Sequence, residues 1–530
     1  MSDSQIVIGS GAQADEHVPL PAGASTAAPS RAVRDAGVLP AVRRIFSFPV
    51  LLASMLVGAV FVPALRFNVD PDMWWHIKVG ESILATHHWP TTDPYSFTVS
   101  GQPWIAYEWL GEVIWAAVMR LGGIRGLELL LIVLGSAVML ALYAYTTISS
   151  GNSKAGFVAC AVLLVLANAS FTLRPQMLGY LFLILTLISL ELFRRGRRGA
   201  VWFLPPLFLV WVNTHGSFVI GHGVILVYWL GGLKEFRLGA IEARRRPPAD
   251  TRRLAVVFLM CMAVLPLTPY GSKLAIYPFN MALSQPVNLA NIQEWQSMPF
   301  GLFPGKLFLA LLIVFIFLQV ALRISWQVED LALCLFGIAM ACIHVRFLLL
   351  FVPFFAPLLA GVFARWVPAY DRSKDRVFLN LAIIAVIFGG LVRYFPSQAQ
   401  MREKISERYP LKAVEFLEAH PVPGPMYNNY GYGGYLVWKL GPAQKDFIDG
   451  RADVFERGGV LADYMQISLL KPGALEALRK YGVQSCVLQH DEALATVLAA
   501  LPDWRRVYSD SQSVVFVRAD ALPGTSGSVR

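Results

Sequence analysis

Phe46-Ser-Phe-Pro-Val-Leu-Leu-Ala-Ser-Met-Leu-Val-Gly-Ala-Val-Phe-Val-Pro-Ala-Leu-Arg66 carries no charge before its last residue, and Asn68-Val-Asp-Pro-Asp-Met-Trp-Trp-His-Ile-Lys-Val-Gly80 follows almost at once. A helix crosses the hydrocarbon core of a bilayer in about 20 apolar residues, so the first stretch reads as a membrane span and the second as the polar loop at its far end. Apolar runs recur near 123–147, 154–170, 175–194, 200–212, 214–233, 254–268, 306–322, 328–343, 346–366 and 377–394, which with the first makes eleven. The sequence therefore predicts a polytopic α-helical membrane protein of about eleven transmembrane helices. Composition agrees: of 530 residues, 56% are hydrophobic and only 15% charged. Soluble domains carry about 25% charged residues, so a soluble enzyme and a disordered chain are both excluded for most of the length.

The net charge of +10 would suggest nucleic acid in a soluble protein. Here the basic residues cluster between the apolar runs, at 195–198, 234–253 and 372–376, while loops 67–105 and 269–305 hold one internal lysine each, Lys78 and Lys273. The positive-inside rule then places the N-terminus in the cytoplasm and those two loops outside. Segment 105–121 is amphipathic and is expected on the membrane surface. Residues 1–44 read as a disordered cytoplasmic tail, and residues 45–395 as the membrane domain with outer loops 67–122 and 269–305. Residues 396–530 are less apolar and are expected to form a small extracytoplasmic α/β domain. Its helix is expected over Pro410–His420 and its strands at Lys445–Ile448, Ser485–Leu488 and Ser513–Val517. None of the five cysteines forms a CxxC or a Cys/His pair, so neither a disulfide framework nor a zinc site is expected.

Polar side chains at membrane level are costly and usually functional. Threaded this way, Asp70, Asp72, His76, Glu108, Arg174, Asn213, His215, Glu294 and Arg346 all fall at the outer ends of helices or in outer loops, as one outward-facing site requires. Pro71 holds Asp70 extended. Asp72 opens a helix running to about residue 85, either as a cap stabilised by the helix N-terminus or as a general base. Trp74 and Trp75 read either as interface anchors or as surfaces that pack on a sugar. Asp70, Asp72, Glu108 and Glu294 offer oxygen ligands, but no ligand spacing demands a metal and none is expected. In the tail, Asp449-Gly450-Arg451 makes a turn with a local ion pair, and Tyr430, Tyr432 and Tyr435 serve either as core or as a glycan surface.

Asp70-x-Asp-x-Trp-Trp-His-x-x-x-Gly80, Trp89-Pro-Thr-Thr-Asp-Pro-Tyr-Ser-Phe-Thr98 and Pro103-Trp-x-x-x-Glu-Trp-Leu110 resemble the first outer loop of a bacterial family of polytopic proteins grouped with the GT-C glycosyltransferases. Those enzymes are relatives of protein mannosyltransferases and of the lipid A aminoarabinose transferase. Leu173-Arg-Pro-Gln176, Trp211-Val-Asn-Thr-His-Gly216, Thr268-Pro-Tyr-Gly271, Glu294-Trp295, Val345-Arg-Phe347, Asn429–Tyr435 and Phe447–Asp453 continue the pattern over roughly residues 45–520. The resemblance implies an enzyme, of inverting type, that takes a sugar from a polyprenyl-phosphate carrier at the outer face of the cytoplasmic membrane and passes it to a glycan, lipid or protein acceptor. It further implies an acidic base in the first outer loop. Metal-independent relatives carry an Asp-Glu pair there, whereas Met73 follows Asp72 here; the distance to Gly80 favours Asp72 over Asp70. Glu108 is a further acid–base candidate. Arg346, Arg174, His215 and His76 are candidates for the carrier phosphate, and Trp74, Trp75, Asn213 and Glu294 for sugar or acceptor contacts. A transporter or flippase for a lipid-linked solute and a non-catalytic envelope assembly protein remain the alternatives.

Overall fold

The computed structural model describes residues 43–64, 69–168, 171–283 and 285–522. The disordered tail expected over 1–44 lies, but for 43 and 44, outside them. Contacts divide the chain after Ile45, and the unit beginning at Phe46 contains the whole fold.

Each of the eleven apolar runs is a helix: Phe48–Ala64, Trp109–Ser150, Ser153–Ala167, Gln176–Arg194, Leu204–Val212, Phe218–Gly231, Pro248–Ala263, Phe303–Leu322, Val328–Ile343, Leu348–Phe363 and Val377–Tyr394. By length and composition, five segments among the described residues suffice to cross a bilayer: Trp109–Ser150, Gln176–Arg194, Phe303–Leu322, Val345–Phe363 and Val377–Tyr394. The amphipathic segment forms a helix from Trp109 that breaks at Gly123 (φ 56°, ψ −152°), beyond which a second helix runs to Ser150. Only glycine adopts that backbone readily.

Charge sorts to the helix ends. Gln176–Arg194 starts two residues after Arg174 and closes on Arg194, whose guanidinium pairs with Glu191 and with Asp330 (3.0 Å). At about 1.5 Å per residue its 19 residues span about 28 Å, close to the roughly 30 Å thickness of a bilayer core. Helix Asp72–Thr86 packs across the start of Trp109–Ser150 at Gly80, where a Cβ would stand 2.0 Å from the Glu112 carbonyl oxygen.

The tail holds a four-stranded sheet in the order Met426–Asn428, Ser485–Gln489, Ser513–Arg518, Trp504–Ser509, with the first pair parallel and the others antiparallel. The helix expected at 410–420 forms as Leu411–Ala419. Lys445–Ile448 is not a strand: Asp446 makes only an isolated bridge to Ser96 of the first loop. Strands Met426–Asn428 and Trp504–Ser509 were not expected, the first because it is short and fully buried, the second because charged Arg505 and Arg506 break its alternation.

Loop and tail share a core. Trp75, Val79, Tyr95, Trp104 and Ala106 of the loop pack with Tyr427, Phe447, Phe455 and Leu461 of the tail. At its centre is Arg451, only 1% exposed. It donates to Asp449 Oδ1 (2.9 Å) and Oδ2 (2.6 Å), to Asp93, and to Ser96 Oγ (3.0 Å). Its guanidinium lies 4.8 Å from the Trp104 ring centroid and 5.0 Å from that of Tyr95. The local ion pair expected for Asp449-Gly450-Arg451 is thus also a bridge across 358 residues of sequence. Removing one partner of a buried ion pair strands the other and costs about 3–5 kcal/mol. Arg451→Met should therefore lower the melting temperature of the detergent-solubilised protein sharply, and Arg451→Lys should not restore it because lysine lacks the planar fork. An unchanged melt for Arg451→Met would show that this bridge does not hold loop and tail together.

Candidate active site

Pro71 sets the entry to helix Asp72–Thr86, and the Asp70 carboxylate caps it by accepting the Asp72 backbone N–H (3.0 Å). Capping thus falls to Asp70, which leaves the Asp72 carboxylate to face a cavity. Arg174, in the turn before Gln176–Arg194, reaches both: Nε to Asp70 Oδ1 (2.7 Å) and Nη2 to Asp72 Oδ2 (2.8 Å). Its Nη1 meets Glu294 Oε2 (3.0 Å), and Glu294 Oε1 meets Arg346 Nη1 (2.9 Å). Arg346 lies over the Trp295 ring, 4.2 Å from its centroid. Three carboxylates therefore face two guanidiniums, brought together from four separate segments.

Burial and these neighbouring charges together set the electrostatics. Burial pushes the Asp72 carboxyl up to about 7; Arg174 opposes the shift, while Asp70 and Glu294 add to it. Glu294 lies below its ordinary value: burial raises it, but Arg346 and Arg174 together prevail. Asp72 meets Arg174 alone, whereas Glu294 meets both arginines.

A second set adjoins the first. Glu108 Oε2 faces His76 Nε2 (3.5 Å) and Glu108 Oε1 faces His215 Nε2 (3.3 Å). His76 Nδ1 lies 3.2 Å from Glu112, and His215 Nδ1 lies 2.8 Å from Ser217 Oγ. Burial, then Arg174 and His215, hold His76 well below its ordinary value; burial and then Arg346 bring His215 down to about 3. Burial raises Glu108 to about 8. Neutral imidazoles beside a protonated Glu108 make this a set of hydrogen-bonding groups rather than ion pairs at neutral pH.

Both sets open on one cavity of about 980 Å³, walled by Asp72, Trp75, His76, Glu108, Arg174 and His215 on one side and by Glu294, Trp295 and Arg346 on another. Most of its exposed lining is apolar, supplied by residues such as Val219, Ile220, Phe279, Leu302 and Phe336. Two expected contact residues lie elsewhere. Trp74 is fully buried against Trp438 (4.8 Å, stacked), Tyr435 and Tyr409, so it cannot meet a sugar. Asn213 is consumed by structure: its Oδ1 accepts the Trp109 indole N–H (2.8 Å) and its Nδ2 donates to Leu209 and Leu267 carbonyls. Among the described residues no group of three or more His, Cys, Asp or Glu is arranged to hold a metal ion. Arg174 fills the point where Asp70, Asp72 and Glu294 converge.

The tail also reaches this site: of the three tyrosines, Tyr430 walls the cavity with Gly450, Ala452 and Asp453, while Tyr432 and Tyr435 are buried core. At Gly450 a Cβ would stand 1.7 Å from Asp72 Oδ1, so the backbone lies directly against the carboxylate. Glu112 was also overlooked, although it follows Glu108 by one helical turn and so shares its face.

No family model and no curated protein matches the sequence. Among solved structures, the arabinofuranosyltransferase AftD from Mycobacteria matches 88% of this chain and 41% of its own, at 14% identity and a TM-score of 0.52. The chain thus spans less than half of AftD. ArnT from Cupriavidus metallidurans, solved with undecaprenyl phosphate, matches 91% of this chain and 99% of its own at 15% identity, with a TM-score of 0.47. The Archaeoglobus fulgidus oligosaccharyltransferase AglB, solved with an inhibitory peptide and a dolichol-phosphate, matches 82% and 69% at 11% identity, with a TM-score of 0.46. At a TM-score of 0.52, this chain shares the fold of the part of AftD that it covers.

Proposed function

We propose that this protein is a membrane glycosyltransferase that moves a sugar from a polyprenyl-phosphate carrier to an acceptor hydroxyl at the outer face of the cytoplasmic membrane. The observation that carries the reading is Asp72: a carboxylate near neutral in affinity for protons, set beside two arginines on the wall of a large, mostly apolar cavity. An apolar cavity suits a prenyl chain, and its charged wall suits the phosphate.

The chemistry follows from these groups. The acceptor oxygen attacks the anomeric carbon as Asp72 takes its proton. The bond from that carbon to the phosphate oxygen breaks, and the phosphate leaves with the electron pair. Arg346 has one carboxylate partner and Arg174 has three, so Arg346 is the principal phosphate ligand and Arg174 chiefly orients Asp72. His215 and His76, whose ring nitrogens are engaged by Glu108, Ser217 and Glu112, are positioning residues in the cavity wall. Asp70, tied to a helix cap and to Arg174, is a positioning residue.

In a deletion strain, Asp72→Asn should fail to restore the envelope glycan that the wild-type chain restores, and the sugar-charged carrier should accumulate by mass spectrometry. Full restoration would remove Asp72 from the chemistry. The base must be ionised, so turnover should rise with pH through about 7 and fall about tenfold per unit below it; a flat profile between about pH 6 and about pH 8 would contradict the assignment. Gly450→Ala should cost about 100-fold in turnover, because the new methyl displaces Asp72, while the melting temperature stays close to wild type. Unchanged turnover would mean that Asp72 tolerates displacement and is not aligned for attack.

A further inference from the structure

We propose that a small sheet at the end of the helices opposite Asp72 is a membrane-surface anchor that binds anionic phospholipid. Strands Phe236–Leu238, Ile241–Ala243 and Trp326–Gln327 form it in that order, the first pair antiparallel and the second parallel. The anchor depends on the helices crossing a bilayer and not on the transferase reading.

Ion pairs fix its level. Arg246, just past the second strand, pairs with Glu329, just past the third. The neighbouring Asp330 receives Arg194 (3.0 Å), the last residue of Gln176–Arg194. That helix starts two residues after Arg174, which holds Asp72, and its length is close to the thickness of a bilayer core. The sheet therefore stands near the far bilayer surface. Exposed Trp202, in the turn Ala200–Phe203 shortly after Arg194, suits that level, because tryptophan concentrates at membrane interfaces.

The sheet is two-faced. Successive strand residues alternate sides, and residues paired across strands share one. Phe236 pairs with Ala243, Leu238 with Ile241, and Ile241 with Trp326, so one face is apolar throughout. Arg237 and Glu242 take the other face, where they form an ion pair (3.6 Å). Trp326 packs edge-on against Phe315 (5.4 Å). Phe315 lies seven residues, about 10 Å, inside the end of Phe303–Leu322. The apolar face thus turns toward the hydrocarbon. Ala243 is buried on it, but Phe236 is 46% and Leu238 71% exposed.

Charge selects the lipid. Arg195, Arg198, Arg246 and Arg253 are neutralised by Glu191, Asp250 and Glu329. Lys234 and Arg245, at the open end of the hairpin, are exposed and have no ion-pair partner among the described residues. The same holds of Arg197 and Arg252 at this end of the helices. An apolar face rimmed by unpaired cations matches acyl chains beneath negative headgroups. A zwitterionic lipid satisfies only the apolar half.

The test places a nitroxide at Leu238→Cys or at Arg237→Cys on the purified full chain, in nanodiscs of mixed phosphatidylcholine and phosphatidylglycerol. A Cys342→Ala background suffices, because the other four cysteines are buried. Power-saturation electron paramagnetic resonance should find the 238 label open to oxygen and about tenfold less open to a water-soluble nickel chelate than the 237 label. In phosphatidylcholine alone, or with Lys234→Gln and Arg245→Gln together, nickel should reach position 238 about fivefold more readily. Equal nickel access at 237 and 238 would overturn the anchor. A 238 label shielded from oxygen as well as nickel would mean that protein covers this face, and would overturn it too. A depth at 238 that ignores both the lipid charge and the two substitutions would overturn the assignment of anionic lipid.

Discussion

The site depends on one guanidinium. Arg174 presents its fork to Asp70, Asp72 and Glu294, residues separated by up to 224 positions in sequence, with N–O distances of 2.7 to 3.0 Å. A buried charge needs partners, and this one draws them from the segment after Phe48–Ala64 and from the loop before Phe303–Leu322. In return it fixes the helix cap at Asp70 and the direction of Asp72. Burial, only partly offset by Arg174, then brings the Asp72 carboxyl up to about 7.

Arg451 does for the frame what Arg174 does for the site. It is enclosed by Asp93, Asp449, Ser96 and two aromatic faces, and joins the first loop to the tail. Nearby Asp446 is buried beside Asp449, and burial, then that neighbouring carboxylate, hold its carboxyl well above the ordinary value. With the loop anchored in this way, Gly450 closes on Asp72 and the tail becomes one wall of the cavity.

Much of this was legible in the sequence, for physical reasons. Helices built for lipid must be apolar throughout, so the eleven runs marked the helices directly. Ionisable residues gathered at helix ends are rare enough to stand out, and Asp72, His76, Glu108, Arg174, His215, Glu294 and Arg346 do lie on one cavity. What failed to show was tertiary. Trp74 beside Trp75 looks the same in sequence, yet successive helical residues point to different faces, and one meets Trp438 while the other meets the cavity. Asn213 gave no sign that its amide would be used up by Trp109, Leu209 and Leu267. The amphipathic character of 105–121 marked it off from the apolar run after it, and the chain does break at Gly123 between the two helices.

The most direct measurement is a cryo-electron microscopy structure of the full chain in nanodiscs with undecaprenyl phosphate. The account predicts phosphate density in the cavity against Arg346, with Arg174 still joined to Asp72 and the prenyl chain along the apolar wall. Density instead at the opposite end of Gln176–Arg194, against Arg194, or a cavity left empty at saturating lipid, would contradict it.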